Sequence, residues 1–105
     1  MPESRDQMME IAMTLIIHGG DARSSAMEAI HAAKKDKFNL AEEKIRDADA
    51  AIKKAHKVQT DLLTQEASGE SFEINLLLVH AQDHLMNAMT YRDLAEEMID
   101  LYKRL

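Results

Sequence analysis

The sequence predicts an all-α fold, an antiparallel three-helix bundle forming one domain over 1–105, and three observations carry that prediction. Helix breakers are scarce, with one proline at position 2 and three glycines at 19, 20 and 69 among 105 residues. Apolar residues recur at steps of three and four through three successive stretches. A hydrophobic content of 46% supplies one modest core and not two independent ones.

In the first stretch Met8, Ala12, Leu15, Ile16, Gly19, Ala22, Ala26, Ala29 and Ala33 mark one buried helical face. Gly19 and Gly20 interrupt it. Paired glycines weaken a helix by about 1 kcal/mol each relative to alanine, so a bend or break is expected there, with Asp21 capping a restarted helix. The second stretch keeps a strict alternation of three and four through Phe38, Ala41, Ile45, Ala48, Ile52, Ala55, Gln59 and Leu62, a bundle seam. The turn Lys35, Asp36, Lys37 precedes it, and Ser68 and Gly69 should end it, because glycine suits a left-handed C-cap. Ser71 is then placed to cap a third helix from about Phe72 to Leu105. Residues 74 to 89, INLLLVHAQDHLMNAM, are apolar on nearly every face. Ile74, Leu77, Ala81, Leu85 and Ala88 satisfy a seam toward the first two helices, which leaves Leu76, Leu78, Val79, Met86 and Met89 without cover. Leaving such side chains wet costs about 1.5 to 3 kcal/mol each, so helix three is expected to face another subunit.

Several function classes fall away on composition. Without cysteine there is no disulfide framework, thiolate zinc site or cysteine nucleophile, which fits a reducing, cytoplasmic setting. Met1 to Glu10 is polar and charged, unlike a signal peptide, and no run approaches the roughly 20 apolar residues that span a bilayer. A net charge of −6 with interspersed signs offers no positive track for nucleic acid. Phe38, Phe72, Tyr91 and Tyr102 are the only aromatics, too few for base stacking or a sugar-binding platform.

His18, His31 and His56 stand singly, without a partner at a metal-ligand spacing. His80 and His84 differ, because residues four apart on a helix project from neighbouring turns on one side. Three readings of VHAQDHLM compete. The pair bridges helices, with Asp83 pairing to one ring. The pair ligates zinc, although the zincin pattern needs glutamate directly after the first histidine and Ala81 stands there. Or one imidazole is a nucleophile toward phosphorus, with the other histidine and Gln82 donating to phosphoryl oxygens. The absence of glycine-rich phosphate loops favours a carrier over a kinase.

LVHAQDHLMNAMTYRDLAEEMIDLYKRL resembles the C-terminal helix of enzyme IIA of the lactose/cellobiose (N,N'-diacetylchitobiose) class in the bacterial phosphotransferase system. HGGDARSSAMEAIHAAKKDKF resembles that family's first helix and turn, and AHKVQTDLLTQEASGE the end of its second, so the resemblance covers essentially the whole chain in order. It implies a spectrin-repeat-like bundle assembled as a homotrimer. It further implies that His80 accepts a phosphoryl group from the carrier protein HPr and donates it to a cysteine of the IIB component, with sugar recognition left to the membrane IIC component. Gln82 and His84 match positions beside the phosphorylated ring. Attack requires a neutral imidazole with a free lone pair on Nε2, so Nδ1 should donate its proton, the Leu76 carbonyl being a candidate acceptor. Asp83 matches the position where three carboxylates meet at the trimer axis around a divalent metal such as Mg²⁺, which relieves their repulsion; no organic cofactor is implied. Without that metal, Asp83→Leu is expected to stabilise the trimer.

The apolar residues Val79, Met86, Ile16 and Ile17 either dock HPr and IIB or close the interface between copies. A cellobiose-type β-glucoside is the expected sugar, ahead of lactose or chitobiose. The alternatives are a regulatory homologue, or a metal-binding helical bundle without a transport role.

Overall fold

The computed structural model describes residues 5–105 and contains three helices, α1 (Arg5–Lys34), α2 (Phe38–Ala67) and α3 (Leu76–Arg104). Pro2 and the first residues of the polar N-terminal stretch lie outside the described residues. The helices form an up-down-up bundle of 53 × 21 × 18 Å, in which α1 and α3 run parallel and α2 opposes both. The expected all-α bundle is therefore found. Among the described residues no helix is long and apolar enough to cross a membrane.

Both interhelical turns stop their helix with the same backbone device. After α1, Asp36 takes φ 61°, and the Lys37 and Asp36 N–H groups donate back to the carbonyls of Ala32 and Ala33. After α2, Gly69 takes φ 104°, and the Glu70 and Gly69 N–H groups donate to Gln65 and Glu66. Each left-handed residue lets the chain satisfy carbonyls that the helix end would orphan. Gly69 thus fills the predicted role. Asp36 does so without being glycine, a use to which short polar side chains are suited.

Two expectations of local structure are corrected. α1 runs unbroken through Gly19 and Gly20, and Asp21 caps nothing. Gly19 is buried against α3, where an added Cβ would lie 3.3 Å from the backbone carbon and oxygen of His84. That glycine admits a close helix approach, and the packing it permits outweighs its poor helix propensity. The third helix begins at Leu76 and not near Phe72, and its N-cap is Asn75, whose Oδ1 accepts from the Leu78 N–H at 2.9 Å. Ser71 lies in the preceding non-helical segment and caps nothing, and Ile74, expected in the seam, is 67% exposed there.

The core is alanine-rich. Ala12, Ala22, Ala26, Ala29, Ala33, Ala41, Ala48, Ala55, Ala81, Ala88 and Ala95 are buried, and Leu15 and Leu85 are the largest fully buried side chains. Small residues along the seams let the helix backbones approach closely, and α1 packs against both of its neighbours while α2 and α3 touch less. The predicted seams of α1 and α2 face this core, except that Ile16, Phe38, Ile52 and Gln59 stay half-buried.

Candidate functional site

His80 and His84 stand on consecutive turns of α3, His80 exposed and His84 half-buried. Their Nε2 atoms are 3.0 Å apart, with ring centroids 4.5 Å apart and planes at 79°. The floor beneath them is buried and closely packed. Ala81 and Leu85, on the inner face of the same turns, are buried against Ala12, Leu15 and Ala55, and Gly19 holds α1 against the His84 backbone.

A contact between two imidazole nitrogens at hydrogen-bond distance needs one donor and one acceptor. Where the His84 Nε2–H donates, His80 Nε2 presents its lone pair and carries its proton on Nδ1, the tautomer required of a nucleophile. This is the side-chain hydrogen bond His80 makes, and no bond from its Nδ1 to the Leu76 carbonyl is formed. Of the other histidines, His18 is half-buried and His31 and His56 are exposed, and none joins the pair.

Gln82 is directed elsewhere. Two residues along an α-helix turn a side chain by about 200°, and Gln82 faces α2, where the Gln59 Nε2–H donates to its Oε1 at 2.6 Å. Gln59 Nε2 also lies 3.7 Å from the Met86 sulfur. Within one chain Gln82 therefore does not meet the His80 ring. The sequence pattern marks Gln59 only as a seam residue. The available signal was an amide at a seam position otherwise filled by apolar side chains.

Asp83 is exposed and pairs with neither histidine. Among the described residues no three His, Asp or Glu side chains are grouped to hold an ion, so one chain offers a single carboxylate, too few oxygen ligands for Mg²⁺.

The surroundings are apolar. Val79, Met86 and Ile17 are each about half exposed, and Ile16 is half-buried. An apolar cavity of about 340 Å³ lies between the end of α2 and the start of α3, lined by Leu62, Leu63, Phe72, Ile74, Leu78 and Val79 among others. A second, of about 530 Å³, follows the outer α1–α3 groove past Met27, Ile30, Leu94 and Met98. Neither contains the histidine pair. An imidazole standing on an open surface suits a reaction partner as large as another protein.

The sequence model of the family described as PTS system, lactose/cellobiose specific IIA subunit, matches residues 10–103. Over 100 residues the chain is 52% identical to the lichenan-specific phosphotransferase enzyme IIA component of Bacillus subtilis (strain 168), an overlap of 95% of this chain and 91% of that one. The crystal structure of the PTS cellobiose-specific enzyme IIA from Bacillus anthracis is similar with a TM-score of 0.88 and 53% identity, over 90% of this chain and 87% of that one. The IIA(chitobiose) chain solved in solution as a complex with HPr has a TM-score of 0.81 and 39% identity, over 92% of this chain and 94% of its own.

Proposed function

The chain belongs to the lactose/cellobiose-specific IIA subunits of the PTS system, and on that premise we propose that His80 carries a phosphoryl group from the phosphohistidine of HPr to a cysteine of the IIB component. The observation that carries this reading is the exposed His80 Nε2 held 3.0 Å from His84 Nε2. As the donor's N–P bond breaks, the His80 Nε2–P bond forms, and the freed donor imidazole keeps the electron pair. The His84 Nε2–H, no longer bonded to a lone pair, turns to a phosphoryl oxygen and offsets its charge. In the second transfer the IIB sulfur takes the phosphoryl group and the lone pair returns to Nε2. A solved relative in complex with HPr supports the choice of donor.

The exposed Leu76, Val79 and Met86 on α3 support assembly as a homotrimer. Three Asp83 carboxylates brought to the trimer axis would hold Mg²⁺, which supplies charge compensation there. No step of the transfer passes through it. The chain works in the cytoplasm, and the sugar is met by the IIC permease. A cellobiose-type β-glucoside is the preferred sugar, supported by the relatives named for lichenan and cellobiose at 52% and 53% identity.

Intact-mass analysis after incubation with enzyme I, HPr and phosphoenolpyruvate tests the carrier role. One acid-labile phosphoryl group per chain is expected, absent in His80→Gln and formed more slowly in His84→Gln. A folded wild type that a competent donor leaves unphosphorylated overturns the reading.

A further inference from the structure

We propose that His80 and His84 together chelate a divalent transition-metal ion of tetragonal preference, Cu²⁺ or Ni²⁺, and that this ion and a phosphoryl group on His80 exclude one another. The second half rests on the phosphocarrier reading; the first does not.

Neutral imidazole is the commonest protein ligand for such ions, and spacing of four along a helix delivers two rings to one ion. Here the nitrogens are 3.0 Å apart while the ring centroids are 4.5 Å apart, so the Nε2 edges face each other. With metal–nitrogen bonds of about 2.0–2.1 Å, that separation gives an N–metal–N angle of about 94°. Adjacent positions of a square-planar or octahedral ion subtend 90°, a separation the two nitrogens already have, and the proton on His84 Nε2 passes through solvent to Nδ1 so that each Nε2 offers a lone pair. A tetrahedral zinc ion needs its nitrogens roughly 3.3–3.4 Å apart, so the rings would have to open by a few tenths of an ångström. His80 is exposed, which leaves the remaining positions to water.

The electrostatic setting favours a cation. No lysine or arginine occurs on α3 from 76 to 91, and Asp83 adds a negative charge beside His84. This nitrogen site is distinct from an oxygen site built on Asp83, which would take a hard ion such as Mg²⁺ and needs more than one chain.

The ion and the phosphoryl group use the same electron pair. An ion on His80 Nε2 removes the nucleophile, and a phosphorylated Nε2 has no lone pair for a metal. Each must therefore weaken the other's binding by the same factor.

The test is a titration of the unphosphorylated chain with Ni²⁺ in a non-chelating buffer, followed by visible absorption and calorimetry, with far-UV circular dichroism to verify that each variant is helical. One ion per chain is expected, bound at least about tenfold more weakly in His80→Gln and in His84→Gln and unchanged in His31→Gln. Equal affinity in wild type and His84→Gln, or weakening in His31→Gln alone, overturns the chelate. In a second arm, chain phosphorylated by enzyme I and HPr should bind Ni²⁺ as weakly as His80→Gln does. Undiminished binding by the phosphorylated chain overturns the mutual exclusion. Failure to phosphorylate at all overturns the carrier reading and with it the exclusion, while the first arm still decides the chelate.

Discussion

The two ends of the bundle are held together by different forces. Where α1 and α3 finish and α2 begins, charged side chains bridge the helices. Arg92 reaches Asp49 through two bonds of 2.6 and 3.0 Å, Lys103 reaches Glu42 at 2.7 Å, and Lys44 reaches Glu28 at 2.9 Å. Arg23 adds a contact over the Tyr91 ring, 4.9 Å from its centroid. Around the histidines, residues 76 to 91 of α3 form no ion pair, and the hydrogen bond that the Gln59 amide donates to Gln82 is the polar link to α2. There the helices are joined by Leu15, Leu85 and alanines. Charge complementarity joins the helices at one end, while at the other the α3 stretch 76–91 carries no lysine or arginine, so an imidazole lone pair stands beside exposed apolar side chains. The interhelical ion pairs and the chemistry are separated along the long axis, and substitutions should sort by position.

The largest effect is expected at the apolar end. Leu85→Ala removes one of the two largest fully buried side chains and should cost about 2–5 kcal/mol in denaturant unfolding. Because Leu85 underlies His84, phosphorylation should slow as well. A destabilised variant that is phosphorylated at the wild-type rate would show that the histidine pair does not depend on this packing.

At the other end, Arg92→Met should cost about 1–2 kcal/mol and leave phosphorylation unchanged. Arg92 is only 23% exposed and also pairs with Glu96, and the hydrogen bond to Asp49 holds it more basic than an ordinary arginine. Slower phosphorylation in this variant would break the separation of the two ends.

The two glycines sharpen the contrast within one turn of α1. An added Cβ at Gly20 meets nothing within 4 Å, so Gly20→Ala should stabilise by about 0.5–1 kcal/mol through helix propensity. Gly19→Ala gains the same propensity but pushes on the His84 backbone at 3.3 Å. Equal gains for both, by thermal unfolding, would show that the close approach is not limiting.

The smallest effect belongs to the pair of Glu42 with Lys103 and is best seen as a pH dependence. The hydrogen bond and charge of Lys103 hold the Glu42 carboxyl below its ordinary value of 4.5. Its contribution is therefore full above about pH 4.5 and disappears as pH falls through the lowered value. Lys103 is held above its ordinary 10.5, chiefly by the hydrogen bond it donates to Glu42, so its contribution is full below that pH and fades as pH rises through the raised value. Glu42→Gln should lower the unfolding midpoint at pH 7 and have no effect once pH is well below the lowered Glu42 value. A deficit that persists in acid would assign the loss to packing and not to charge.

Much of this was legible in the chain. Spacings of three and four located the helices because burial on one face of an α-helix must repeat with its turn, and the interval between His80 and His84 placed both rings on one side for the same reason. Of the five α3 side chains expected to lack cover, Leu76, Val79 and Met86 stand exposed, whereas Leu78 and Met89 are half-buried, Met89 against the core. The start of α3 is not fixed by local sequence, because Ser71 and Asn75 are both competent caps and the chain past Gly69 uses the second. The partner of Gln82 was missed because Gln59 lies 23 residues earlier on another helix.

By itself, then, the sequence determined what depends on neighbours within a turn or two: three helices, their buried faces, the glycine stop at 69 and the paired histidines. Tertiary structure alone decided what depends on a second helix. It kept α1 continuous at Gly19, because α3 occupies the space a side chain would need, and it turned Gln82 toward α2, because a half-buried amide takes the partner that the facing helix supplies.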